Sequence, residues 1–212
     1  MKSYLKILFC SVFFLNATFS AISQTNQENE LDALVLEMFA FTEQKDYDKL
    51  LDLTYPKLFD YVSKDAMKEL IIGMFEGNEE IKIEIAKGVP AYVISEIYTI
   101  DDKNIEFGFV SYLLDMQMTF LNQSFDEQSK EMMTTMMKVQ GMEATFLSDT
   151  EVRLLQPNSI TIFIKDEVTN GDWYLINYNP NEPIFFELLP VEVIEKANLF
   201  KQEMILEQAK KK

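Results

Sequence analysis

Histidine is absent from this 212-residue chain, and cysteine occurs once, at Cys10. Without an imidazole to carry protons, there can be no Ser-His-Asp unit, Cys-His unit or Asp–His pair. Zinc centres built from Cys and His are excluded on the same ground. Arginine also occurs once, at Arg153, and the six glycines form no phosphate-cradling loop. No cofactor and no metal centre is therefore expected. Beyond the first residues there is no apolar run of about eighteen, so no stable membrane insertion is expected of the remaining chain.

The N-terminus explains the lone cysteine. Lys2 and Lys6 precede an apolar stretch from Ile7 to Ala17, and Ala21 and Ser23 stand at the −3 and −1 positions of a cleavage site before Gln24. That is the layout of a secretory signal peptide over residues 1–23. Cys10 lies inside the apolar stretch, with Phe13, Phe14 and Leu15 still to come, so it is not placed as a lipid acceptor. Cleavage after Ser23 predicts an exported protein, periplasmic or secreted, that has no cysteine and must be stabilised by packing rather than disulfides.

Losing Lys2 and Lys6 leaves 17 basic against 35 acidic side chains, a formal charge of −18. Nucleic acids and anionic membranes are bound through Lys and Arg neutralisation, so this acidity excludes nucleic acid as a partner and favours solubility.

Hydrophobic spacing then divides the chain. Residues 24–30 are a polar leader. Leu31, Leu34, Val35, Met38 and Phe39 predict an amphipathic helix to about Thr42. A second short helix follows Asp46, a third opens at Pro56, and a fourth, capped by Ser63, carries Ala66, Met67, Leu70, Ile71, Met74 and Phe75 before Gly77. Alternation takes over at Ile81, Ile83 and Ile85, and an Ile-, Val- and Tyr-rich strand covers Ala91 to Ile100. An unusually long strand follows, from Ile105 to about Leu121. Gly108 within it predicts a bulge that lets the sheet curl. Phe125 to Gln140 is helical and Met-rich. Strands are expected at Met142–Leu147, Val152–Leu155, Ile160–Lys165 and Trp173–Tyr178, with Asn170-Gly171 as a hairpin turn. A closing helix after Pro190 carries Val193, Ile194, Ala197, Phe200 and Met204, and ends in a basic tail. This organisation predicts one α+β domain over residues 31–189, with residues 190–212 as a C-terminal helix and tail.

Two segments extend the reading, Lys45-Asp46-Tyr47-Asp48-Lys49-Leu50-Leu51-Asp52-Leu53-Thr54-Tyr55-Pro56 and Lys165-Asp166-Glu167-Val168-Thr169-Asn170-Gly171-Asp172-Trp173-Tyr174-Leu175-Ile176. With the order of helices first and then antiparallel strands, they resemble the nuclear transport factor 2-like (cystatin-like α+β) superfamily, and exported Bacteroidetes-type proteins within it. The resemblance spans roughly Leu31 to Leu189. It implies N-terminal helices packed in a strongly bent, cone-like antiparallel sheet around an apolar pocket, here with an inserted Met-rich helix and a C-terminal helix. Enzymes of the superfamily use an Asp base with Tyr and Asp donors, or Asp–His or Asp–Arg–Asp arrangements. An Asp–His pair is impossible here, and no catalytic residue carries over.

Asp115 and Gln117 share the strand parity of Phe107, Phe109 and Leu113. Inside a curled sheet Asp115 would sit among apolar groups, its pKa would rise, and it could act as a general base. On a solvated strand end it would do neither. Arg153 could anchor a ligand carboxylate, or pair with Glu143, Asp149 or Glu151 on the surface. Met132 and Met136, and Met133 and Met137, are i,i+4 pairs. They suit an apolar pocket wall or core filling, and thioether ligation of Cu(I) is the sharper alternative. Trp173 could floor a ligand site or pack the sheet. Asp101-Asp102 and the loop 179–182 lack the spacing of a calcium loop. The candidate ligand-binding residues are thus Asp115, Gln117, Arg153, Trp173, Met133 and Met137. The expectation is a non-catalytic exported module that binds an apolar or amphipathic small molecule, or a partner protein. The alternative is an enzyme using Asp115 as general base on an apolar substrate, as an isomerase or hydrolase.

Overall fold

The computed structural model describes residues 30–210; the expected signal peptide and cleavage site lie outside the described residues. Helix α1 occupies residues 30–44. Leu31, Val35 and Met38, one face at i, i+4 and i+7, are buried. It ends where the N–H groups of Lys45 and Asp46 turn back to the carbonyls of Thr42 (3.2 Å) and Phe41 (2.9 Å), with Lys45 in the left-handed region at φ 56°. Asp46 caps α2 (Tyr47–Asp52) by accepting from the Lys49 N–H, and a 3₁₀ turn follows over Pro56–Asp60. Ser63 caps α3 (Lys64–Phe75) as its sequence predicts, accepting from the Ala66 N–H at 3.2 Å.

Seven strands form one antiparallel sheet. Two long strands are its spine: β4 (Ile105–Phe120) and β6 (Glu151–Lys165), paired along almost their whole length. Three short strands lie end to end along the outer side of β4, namely β1 (Ile81–Ile85), β2 (Tyr92–Ile94) and β3 (Tyr98–Ile100). The single strand expected over Ala91 to Ile100 is interrupted because Ser95 turns its side chain into the ladder, and its Oγ accepts from the Phe109 N–H at 2.9 Å. Strands β5 (Glu143–Phe146) and β7 (Tyr174–Tyr178) flank β6 on the other side. Helix α4 (Glu127–Val139) joins β4 to β5, and a short α5 (Phe185–Leu188) leads into α6 (Val191–Lys210).

The architecture is α+β, as expected, but the sheet is not strongly curled, and the cone-like picture is corrected. Gly108 stays in register opposite Phe163. A Cβ there would lie 3.2 Å from Cδ1 of Leu31, so glycine serves the close approach of α1 rather than a bulge. The register shift falls between Tyr112 and Leu114 of β4, opposite Pro157 and Asn158 of β6, where Asn158 has φ 54°. The strands expected at Val152–Leu155 and Ile160–Lys165 are therefore one strand with an irregularity in its middle, which also accommodates a proline inside a sheet.

Helices on both faces explain the missing curl. On one face, Val110, Phe163 and Leu175 pack with Leu31, Val35 and Met38 of α1. On the other, Phe107, Phe109, Ile160, Ile162 and Ile164 pack with Val193, Ile194, Ala197 and Phe200 of α6. A sheet holding a helix against each face cannot wrap around either one. The stripe of α6 is thus buried in its own domain. The loop between β6 and β7 spans residues 166–173, longer than a two-residue hairpin, although Asn170 and Gly171 both adopt the positive φ their types favour.

Candidate functional site

The register of the spine decides which polar residues meet. Gln117 pairs with Arg153 and Asp115 with Leu155, so Asp115, Gln117 and Arg153 share one face at the end of the sheet beyond α6. Arg153 grips Asp115 with two prongs, Nε to Oδ1 at 3.0 Å and Nη2 to Oδ2 at 2.6 Å. Its partner is therefore Asp115, rather than Glu143, Asp149 or Glu151. The hydrogen bonds from Arg153 hold the Asp115 carboxyl below the ordinary aspartate range, outweighing partial burial. That direction is opposite to the one a general base near neutral pH requires.

These three residues line a cavity of about 480 Å³ at a gap in the sheet edge. β1 pairs with β4 as far as Met116, the Ala86 N–H still donates to the Asp115 carbonyl at 2.9 Å, and β2 begins pairing at Tyr112, so the chain from Lys87 to Ala91 swings away between them. The wall also includes Phe39, Thr42, Glu43 and Lys45 at the end of α1, Phe75 of α3, Ile83, Glu84 and Ile85 of β1, and Ala86, Lys87 and Gly88 after it. Glu43 accepts from the Gly88 N–H at 3.3 Å, tying helix to loop, and Lys82 pairs with Glu84 at 2.7 Å.

A second cavity of about 400 Å³ lies under α3, between the N-terminal helices and the sheet. Its walls are almost wholly apolar: Met38 and Leu50 below, Met67, Ile71 and Met74 from α3, and Leu114 and Ile176 from the sheet. Tyr112 is also in this wall, and burial raises the pKa of its hydroxyl. Phe39, Thr42, Phe75 and Ile85 line both cavities, so the apolar chamber and the charged one meet at these four side chains.

The other sequence candidates lie elsewhere. Met133 and Met137 are half-buried on the underside of α4, which packs on β5, while Met132 and Met136 are exposed. Trp173 packs among the residues on the α1 side of the sheet, with Lys165 Nζ 5.2 Å from its ring centre. Its buried Nε1 has no hydrogen-bond partner among the described residues. Sequence reading missed the α3 wall. Met67, Ile71 and Met74 have the spacing of a core face, and nothing in that spacing says that the space beneath is unfilled.

Among the described residues, no group of three or more His, Cys, Asp or Glu side chains is arranged to hold a metal ion, and no helix is long and apolar enough to cross a membrane. Fold and site together define an α+β protein with helices on both sheet faces and an apolar chamber beside a charged one. No protein-family model matches the chain, and no curated protein is similar to it in sequence.

Proposed function

We propose that this is an exported, non-catalytic protein that binds an amphipathic small molecule, its apolar part under α3 and its polar end among the charges around Asp115 and Arg153. The carrying observation is the apolar cavity of about 400 Å³ that meets a polar one at Phe39, Thr42, Phe75 and Ile85. Its size falls in the range of small-molecule sites, about 300–1,000 Å³. Each methylene moved from water into such a wall contributes about 0.8 kcal/mol, so a short alkyl chain supplies enough to offset part of the cost of association. Methionines at 38, 67 and 74 suit a wall that must fit varied apolar shapes. The order of helices followed by an antiparallel sheet, with an apolar chamber between them, is what a divergent nuclear transport factor 2-like protein would show.

The ion-paired Asp115 argues for binding rather than proton transfer, because its low pKa makes it a weak base. The test is native mass spectrometry of the protein purified from its own cells, beside a variant with the chamber plugged, Leu114→Trp. A co-purifying small molecule that the plugged, still folded variant lacks supports the reading. A repeatedly empty protein that takes up no alkyl amphiphile refutes it.

A further inference from the structure

The charges around the polar cavity are not equally engaged. Asp115 is held by both prongs of Arg153, Glu84 is paired with Lys82, and Glu43 accepts from the Gly88 N–H. Lys45 and Lys87, which also line this cavity, form no ion pair or side-chain hydrogen bond among the described residues. Both are near enough to Glu84 to lower its pKa through space, so their charges act on the same region. Asp115 and Glu84 are thus paired with cations, whereas Glu43 holds only a backbone N–H and keeps its charge, which leaves two unpaired cations in the wall against one unpaired acid. Lys45 also keeps its side chain at a left-handed position, φ 56°, where the close of a helix ordinarily favours glycine or asparagine.

From this asymmetry we infer that the ligand is an anionic amphiphile, a carboxylate or comparable anion on an alkyl chain, whose head group is read by Lys45 and Lys87. This rests on the binding reading above and names its ligand class. The tail lies under α3 and the head passes Phe39 and Thr42 into the charged cavity. The net negative charge of the chain opposes any anion from afar, but screening confines that repulsion to about 8 Å at physiological salt, whereas two local ammonium groups act within the site. The Asp115–Arg153 pair keeps Arg153 largely neutralised, so it lines the head-group site without being its principal cation.

The experiment is calorimetric titration of the mature chain with three amphiphiles sharing one tail, dodecanoate, dodecyl maltoside and dodecyltrimethylammonium, each below its micelle concentration. Dodecanoate is expected to bind about tenfold tighter than the cationic analogue, the size of two exposed charge contacts taken together. In Lys45→Asn/Lys87→Gln that preference should vanish while the neutral maltoside is still bound. Both lysines are exposed and Asn tolerates the left-handed position, so the variant should fold. Equal or reversed charge preference in the native chain overturns the anionic assignment and leaves the binding reading standing. So does a preference that survives the double substitution. Failure of all three to bind overturns the binding reading, and the assignment with it.

Discussion

At residue scale the clearest consequence concerns Tyr55 and Asp166, a fully buried tyrosine whose hydroxyl donates to a nearly buried carboxylate at 2.6 Å. Asp166 also accepts the Thr169 N–H at 3.1 Å and so holds the loop between β6 and β7. Tyr55→Phe leaves that carboxylate short of a donor, and denaturant titration should show a loss of about 1–3 kcal/mol. Two groups give opposite pH signatures. The hydrogen bonds from Arg153 depress the Asp115 pKa, so the stability this pair supplies is present above about pH 4 and is lost as pH falls through the lower folded value. The melting difference between the native chain and Asp115→Asn should accordingly shrink on acidification. Tyr92 donates to Asp32 of α1 at 2.5 Å, and that bond with burial pushes its pKa up to about 12. Its contribution is complete below about pH 10 and disappears as pH rises through about 12. Tyr92→Phe should abolish that alkaline component in a melting series.

At the scale of elements, α3 and α6 are opposites. No residue of α3 is buried, its apolar face overlies a cavity, and exposed ion pairs, Lys64 with Asp52 and Lys68 with Asp48, tie it to α2. Such pairs contribute about 0–1 kcal/mol each, so α3 should open well before the sheet does. Hydrogen exchange should protect α3 amides far less than those of β4 and β6, and equal protection would refute this. Helix α6 buries Val193, Ile194, Ala197 and Phe200 completely or nearly so, with Phe200 stacked on Phe109 at 5.5 Å. Each large apolar side chain contributes about 1.5–3 kcal/mol, against a typical net stability of about 5–15 kcal/mol for a whole domain. A chain ending at Leu189 should therefore lose cooperative unfolding and bind hydrophobic dyes. A cooperative melt in that truncation would show that α6 is dispensable.

For the molecule as a whole, acidity and the absence of cysteine set the terms. A chain with 35 acidic and 19 basic residues repels itself when compact, and screening relieves this. Its melting temperature should rise when salt is added from low ionic strength, the reverse of what a protein held mainly by surface ion pairs would do. With no cysteine beyond Cys10, stability rests on the two packed faces of the sheet, and the largest buried side chains, Tyr55, Phe107, Phe109 and Phe163, lie on that sheet or against it.

Local patterns were enough to determine the α+β class, the Ser63 cap, the left-handed Asn170-Gly171 pair and the apolar stripe of α6, because each depends on residues a few positions apart. The exclusion of histidine-based chemistry needs no structure at all. Other features follow from contacts between distant segments. Gly108 reads as a bulge until Leu31 is seen against it. Asp115 reads as a possible base until the β4–β6 register delivers Arg153 from 38 residues away. The apolar chamber is the extreme case: a side chain lining a void has the same hydrophobic spacing as one packed against a neighbour. Only the placement of α3 over the sheet, with α1 fixed by its close approach at Gly108, decides that space remains between them.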